Sequence, residues 1–134
     1  MDEAVIRYYK RLLKTGFENS GSFDNPSIFL EDDQTKFVLC GKTGDSLHVF
    51  INIRDDMIDN IKYLCTCGPT VNVVIEALCI LVKGKPLAEA KNLTEGAFSQ
   101  VVNSCGDEFL KKTRIAIVLL KEGIREFERE RGDF

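Results

Sequence analysis

The sequence lacks long apolar runs and clusters of basic residues. Its longest apolar stretches, such as residues 115–120, are far shorter than the roughly 20 residues that a membrane-spanning helix needs. The first 14 residues alternate charged with apolar side chains and contain no signal-peptide core. A net charge of −3 without a basic stripe argues against nucleic acid as a partner. We therefore predict a cytoplasmic protein that binds neither a membrane nor nucleic acid.

The residue patterns of common enzymes are also missing. The chain has no glycine-rich phosphate loop, no motif of paired carboxylates, and no serine or cysteine matched with a plausible histidine. The single histidine, His48, lies on the polar side of a predicted strand, where a solvated or hydrogen-bonded role is expected. The sequence therefore predicts that the protein is not an enzyme.

Cysteines are the most informative residues present. There are five, and an odd number in a chain without a secretion signal favours metal binding or redox chemistry over a disulfide framework. Cys79 lies on the apolar face of a predicted helix, where a free cysteine behaves as a small hydrophobic side chain. The other four cysteines lie near the ends of predicted elements.

Cys67 lies between a predicted strand and a predicted helix. The free N–H groups and the positive dipole at a helix N-terminus favour the thiolate, which binds soft metals and attacks sulfur. Cys40 and Cys105 also adjoin a glycine, but separations of 27 and 38 residues form no metal-binding motif. Only their placement suggests that the three thiols meet. Cys65, two residues before Cys67, adds a possible ligand or one half of a redox pair.

Hydrophobic periodicity predicts one α+β domain over residues 1–134, with a three-stranded antiparallel sheet and helices packed on one face. The strands are predicted over residues 35–40, 46–53 and 57–64. Residues 16–34 are predicted to form a loop. The helices are predicted over residues 2–15, from Pro69 to about Gly84, over 86–91 and over 105–129, and residues 94–103 are predicted to form either a weakly patterned helix or a loop.

Three charged residues have two interpretations each. Asp45 follows a glycine at the start of a predicted strand, so it is either a labile hard ligand beside soft thiolates or a turn residue. Lys111 and Lys112 lie one turn into the final helix, where they either hold an anionic cluster electrostatically or face solvent.

Several segments recur in the same order in a known family. They are the helix with Tyr8-Tyr9, the segment Gly21–Asn25 (GSFDN), Cys40-Gly41 followed by Gly44-Asp45, Cys67-Gly68 before a helix, the segment Val82–Ala90 (VKGKPLAEA), and Cys105 at the start of the last helix. In this order the chain resembles the NifU/IscU-type iron–sulfur cluster assembly scaffolds over nearly its whole length. Their α+β fold is the fold that the periodicity predicts.

The resemblance implies a scaffold that assembles a nascent [2Fe–2S] cluster and transfers it. Its ligands would be Cys40, Cys67 and Cys105, with Asp45 as the weak ligand that keeps the cluster labile and Cys65 as a further candidate. The partners would be a cysteine desulfurase, which supplies persulfide sulfur, and apo iron–sulfur proteins, which receive the cluster. The alternatives are a zinc-binding or metal-free binding module of the same fold, and a thiol redox protein that uses Cys65 and Cys67.

The chain also departs from the pattern of these scaffolds, and two of the departures concern a candidate ligand and a partner. Ser104 replaces the histidine that precedes the last cysteine, so one candidate ligand is absent. Residues 98–102 (FSQVV) replace the Leu-Pro-Pro-Val-Lys motif that binds an Hsp70-type chaperone. The second difference argues against a chaperone of that type as a partner.

Overall fold

A computed structural model describes residues 2–32, 39 and 45–132. Five helices and three strands lie in this part of the chain. In order they are α1 (Glu3–Thr15), β1 (Ile28–Glu31), β2 (Leu47–Arg54), β3 (Met57–Cys65), α2 (Pro69–Val82), α3 (Leu87–Lys91), α4 (Glu95–Val102) and α5 (Asp107–Arg131). No helix in the described ranges is both long enough and apolar enough to cross a bilayer.

The strands form an antiparallel sheet in the order β1-β2-β3. Alternate residues of β2 face the core, and Leu47, Val49 and Ile51 are fully buried there. Two residues with positive φ, Asp55 and Asp56, connect β2 to β3 in a tight hairpin turn. The predicted three-stranded antiparallel sheet and the α+β class are confirmed.

The first strand, however, is not where the periodicity placed it. Residues 16–34 were predicted to form a loop, whereas β1 occupies Ile28–Glu31 within them. Four residues are too few for an alternating pattern to be recognised, and the strand exists because Ile28 and Leu30 pair with Ile51 and Val49 of β2. The predicted strand over residues 35–40 lies outside the described residues, except for Leu39.

Helices α2 and α5 cover the core face of the sheet, as predicted. Val73, Val74, Ile75 and Leu78 of α2 are buried, and Leu120 and Ile124 of α5 join them in one hydrophobic cluster. Gly123 of α5 contributes to this packing because a Cβ at that position would collide with Leu30 and Ile28 of β1. The helix therefore lies directly on the edge strand of the sheet.

One carboxylate is buried in this apolar layer. Glu76 of α2 is 2% exposed, and its oxygens accept hydrogen bonds from Asn19 Nδ2 at 2.7 Å and from Tyr63 Oη at 3.1 Å. The backbone N–H of Asn19 adds a longer bond of 3.4 Å. Burial and the neighbouring Glu76 carboxylate raise the pKa of the Tyr63 hydroxyl. The three residues join the loop after α1, the strand β3 and the helix α2.

Candidate functional site

An open cleft of about 560 Å³ lies where β3 ends and α2 begins, beside the first turns of α5. Its walls combine one cysteine with acidic, basic and hydroxyl side chains. They include Leu39, Asp45, Thr66, Cys67, Glu108 and Lys112, together with the first residues of α2. Three of the residues that the sequence analysis singled out, Asp45, Cys67 and Lys112, therefore line the same cleft.

The turn that carries Cys67 is held by the neighbouring strand. The N–H of Thr66 donates to the Ser46 carbonyl at 3.0 Å, and the Ser46 N–H donates to Thr66 Oγ1 at 2.9 Å. Gly68, with φ of +102°, then turns the chain into α2, which begins with Pro69. Cys67 is therefore fixed two residues before the first residue of α2, near the positive end of the helix dipole, as predicted.

The sulfur of Cys67 is half-buried at the wall of the cleft. It lies 3.3 Å from the Ser46 carbonyl oxygen, and it takes part in a disulfide. A thiolate at this position is therefore available only after reduction. Any metal or sulfur chemistry of Cys67 belongs to the reduced protein.

Cys65 has a different environment from Cys67. It is the last residue of β3, it packs half-buried against the core, and its thiol is free. Burial raises the pKa of the Cys65 thiol, although a weak bond from the Cys67 N–H, at 3.5 Å, lowers it in part. Because Cys65 is free while Cys67 is disulfide-bonded, no disulfide joins the two in this structure.

Cys79 is the core side chain that the sequence predicts. It is fully buried in α2, and burial together with the Glu76 carboxylate raises the pKa of its thiol. It contributes packing rather than reactivity. His48 also agrees with its prediction, since it is partly exposed and its Nε2 lies 3.1 Å from Glu31 on the outer face of the sheet.

The two lysines of the final helix differ in their positions. Lys111 is exposed to solvent, whereas the Lys112 side chain is only 14% exposed and lines the cleft. Lys112 Nζ donates to the Leu39 carbonyl at 2.7 Å and lies 3.9 Å from Glu108 Oε1. A mostly buried ammonium group therefore provides positive charge in the same cleft as Cys67.

Of the other predicted ligands, Asp45 lines the cleft and Cys105 does not. Asp45 is half-buried and lines the cleft with Cys67. Cys105 is exposed and free, two residues before the first residue of α5, and it is not among the described residues that line the cleft. Cys40 lies outside the described residues. Within residues 2–32, 39 and 45–132, no three histidine, cysteine or acidic side chains are close enough to hold a metal ion.

The thiol environments predict an order of chemical reactivity. Among Cys65, Cys79 and Cys105, the thiols that are free in this structure, we expect Cys105 to react first with iodoacetamide at pH 8, Cys65 more slowly and Cys79 roughly 100-fold more slowly than Cys105. Labelling of Cys65 should keep increasing above pH 9, since its raised pKa delays ionisation beyond that of an ordinary thiol. Peptide mass spectrometry gives the three rates. Labelling of Cys79 at the rate of Cys105 in folded protein would contradict the burial described above.

Comparison with known proteins identifies the fold. The chain superimposes on the N-terminal part of a nitrogen-fixing NifU-like protein from Brucella abortus with a TM-score of 0.60 and 14% identity, over 95% of this chain and 93% of the other. It matches a protein assigned as an iron–sulfur cluster assembly scaffold of the SUF system, from the thermophilic Fervidobacterium islandicum, with a TM-score of 0.61 and 15% identity, over 92% and 96%. The chain has a NifU-like fold. No family model and no curated protein matches the sequence.

Residues 98–102 and Ser104, which depart from the pattern of NifU/IscU-type scaffolds, are both packed into the fold. Residues 98–102 form most of α4, and Phe98 and Val102 are buried, so this segment is packed into the fold rather than displayed as an extended peptide. Ser104 is also buried, and its hydroxyl is bonded within the protein to Asp2 and Gly106.

Sequence reasoning missed two kinds of contact at the site. The bonds between Ser46 and Thr66 were not predicted. Ser46 directly precedes β2 and Thr66 directly follows β3, so two hydroxyl residues at paired strand ends could have indicated them. The bond from Lys112 to the Leu39 carbonyl was not predicted either, because it joins residues 73 positions apart. Only the folded chain brings α5 beside Leu39.

Proposed function

We propose that this protein is a scaffold on which a nascent [2Fe–2S] cluster is assembled and from which it is transferred. One observation carries the proposal. In a NifU-like fold, Cys67 lies beside a helix N-terminus, in a cleft that also contains the Asp45 carboxylate and the Lys112 ammonium group. The proposed ligands are Cys40, Cys67 and Cys105, with Asp45 as a weaker oxygen ligand and Cys65 as a further candidate ligand.

These ligands suit a cluster that is bound for a time and then transferred to another protein. Thiolates hold iron strongly, whereas a carboxylate is a harder and weaker ligand for the iron of a sulfide cluster. The thiolates and bridging sulfides give the cluster a negative charge, which the α2 N-terminus and Lys112 offset. Iron arrives as the ferrous ion, and a cysteine desulfurase supplies sulfur as a persulfide. Each persulfide sulfur takes up two electrons to become sulfide; of the four electrons needed for two sulfides, two come from the two ferrous ions and two from a thiol reductant, which leaves as a disulfide. Apo iron–sulfur proteins accept the completed cluster.

Anaerobic reconstitution tests the proposal. Reduced protein is incubated with ferrous iron, cysteine and a cysteine desulfurase, and is then separated from small molecules. We expect a brown protein with visible absorbance and near-equal iron and sulfide, about two of each per cluster. A colourless protein that binds one air-stable zinc would instead identify a structural metal site and refute the scaffold function. Protein that binds neither metal would refute it as well.

Asp45→Ala should lengthen the life of the bound cluster. If the carboxylate is the labile ligand, removing it slows ligand exchange and transfer, and we expect the half-life in air to rise by about tenfold. The decay of visible absorbance measures this half-life. Asp24→Ala, which removes an exposed carboxylate on another loop, is the matched control and should change nothing. A half-life that stays the same or falls in Asp45→Ala excludes Asp45 as the labilising ligand.

Lys112→Gln should have the opposite effect. The substitution removes a mostly buried positive charge from the cleft and weakens the anchor of the Leu39 carbonyl on α5. We expect the cluster half-life to fall by roughly threefold to tenfold. Lys111→Gln removes the same charge from the adjacent exposed position and provides the control. Equal half-lives in the two variants would show that the position of the charge in the cleft has no role.

A further inference from the structure

We propose that Asp2 is a positioning residue for Cys105 and acts through a polar clamp formed by Asp2, Ser104 and Gly106. The inference rests on the proposed function, in which Cys105 is a cluster ligand. It assigns to the residue that caps the N-terminal helix a role in holding a thiol that lies two residues before α5.

The two oxygens of the Asp2 carboxylate accept hydrogen bonds from different parts of the chain. Oδ1 accepts the N–H groups of Ala4 at 3.0 Å and Val5 at 3.3 Å, and so caps the N-terminus of α1. Oδ2 accepts the hydroxyl of Ser104, which lies just before Cys105. Ser104 is 5% exposed, so this second bond is sheltered from water.

The clamp holds the chain on both sides of Cys105. The Ser104 hydroxyl donates to Asp2 and accepts the N–H of Gly106 at 3.2 Å. The residues before and after the cysteine are therefore bonded through one hydroxyl, and that hydroxyl is bonded to α1. The Cys105 side chain itself remains exposed, and its thiol is free.

The glycine at position 106 is independent support for the clamp. Its backbone conformation, with φ of −66° and ψ of 145°, is one that any residue adopts, so the turn itself does not require glycine. A Cβ at this position would instead overlap the Asp2 carboxylate. A side chain at position 106 would therefore require the Asp2 carboxylate to move away from Ser104.

Three substitutions break the clamp in different ways. Asp2→Ser keeps an oxygen for the helix cap, where serine is as effective as aspartate, but has no second oxygen for Ser104. Ser104→Ala removes the central hydroxyl, and Gly106→Ala displaces Asp2 without removing any polar group. Ser104→Thr keeps the hydroxyl and is the conservative rescue. Glu3→Gln changes a neighbouring exposed acid of α1 and is the matched control.

The first measurement uses reduced, metal-free protein, so it does not depend on the cluster. Nitrogen-15 relaxation gives the backbone order parameters of Cys105 and Gly106. We expect about 0.85 in the wild type, in Ser104→Thr and in Glu3→Gln, and a fall below about 0.6 in the three clamp variants. Unchanged order parameters in all three clamp variants would overturn the inference.

The second measurement is the half-life of a reconstituted cluster, which a merely structural clamp would leave unchanged. We expect it to fall about tenfold in the clamp variants and to recover in Ser104→Thr. A mobile Cys105 with a normal half-life would overturn the positioning role. If even the wild type takes up no cluster, the proposed function fails, whereas a fall in order parameters still supports the clamp.

Discussion

Cys67→Ala is expected to abolish cluster assembly. After anaerobic reconstitution, the variant should retain less than about one tenth of the iron, sulfide and visible absorbance of the wild type. The reason is that the loss of one of the three proposed cysteine ligands leaves too few thiolates to hold two irons. The half-buried Cys67 side chain lies at a cleft wall rather than in the core, so we expect the fold to persist. Circular dichroism and the Tm check that the protein remains folded.

Cys79→Ala is the matched control for this experiment. It removes a thiol from α2, the helix that Cys67 precedes, but from a fully buried position away from the cleft. We expect it to lower the free energy of unfolding by about 1 kcal/mol and to leave cluster content unchanged. Full cluster content in Cys67→Ala, or equal losses in both variants, would contradict a ligand role for Cys67.

The fold was largely predictable because most elements have strong local signals. The buried side of β2 alternates over Leu47, Val49 and Ile51, and α2 and α5 carry apolar residues at helical spacing over many turns. Strand β1 was missed because its four residues form a strand only through pairing with β2. A short edge strand depends on its neighbour rather than on its own pattern.

The candidate site was predictable in its chemistry and less so in its geometry. A cysteine between a strand and a helix, followed by glycine and proline, indicates a thiol at a helix N-terminus, and Cys67 lies there. Which lysine faces the cleft was not predictable, because Lys111 and Lys112 are adjacent and the choice depends on how α5 packs. The Asp2–Ser104 bond spans 102 positions and has no local signal.

Removal of the buried Glu76 carboxylate of α2 is expected to lower the stability of the protein strongly. Glu76→Ala leaves the Tyr63 hydroxyl and the Asn19 amide without their buried acceptor, and it also opens a cavity. Each unsatisfied buried donor costs about 1–3 kcal/mol, so we expect the free energy of unfolding to fall by about 3 kcal/mol. For a chain of this size the Tm should fall by roughly 10 °C. Urea denaturation and calorimetry measure the two quantities.

Glu126→Ala, on the exposed side of α5, provides the control and should change stability by less than about 0.5 kcal/mol. A loss below about 1 kcal/mol in Glu76→Ala would mean that the buried network contributes little.

The position of Glu76 connects this stability effect to the cleft. Tyr63 lies near the end of β3 and Glu76 lies in the middle of α2, so their hydrogen bond ties together the two elements that flank the turn carrying Cys67. Asn19 adds the loop that follows α1 to the same network. Since the Ser46–Thr66 bonds hold this turn from the other side, we expect the remaining folded Glu76→Ala protein to keep Cys67 near its place. Cluster content per folded molecule should therefore fall much less than in Cys67→Ala, which separates a residue that stabilises the fold from one that holds the cluster.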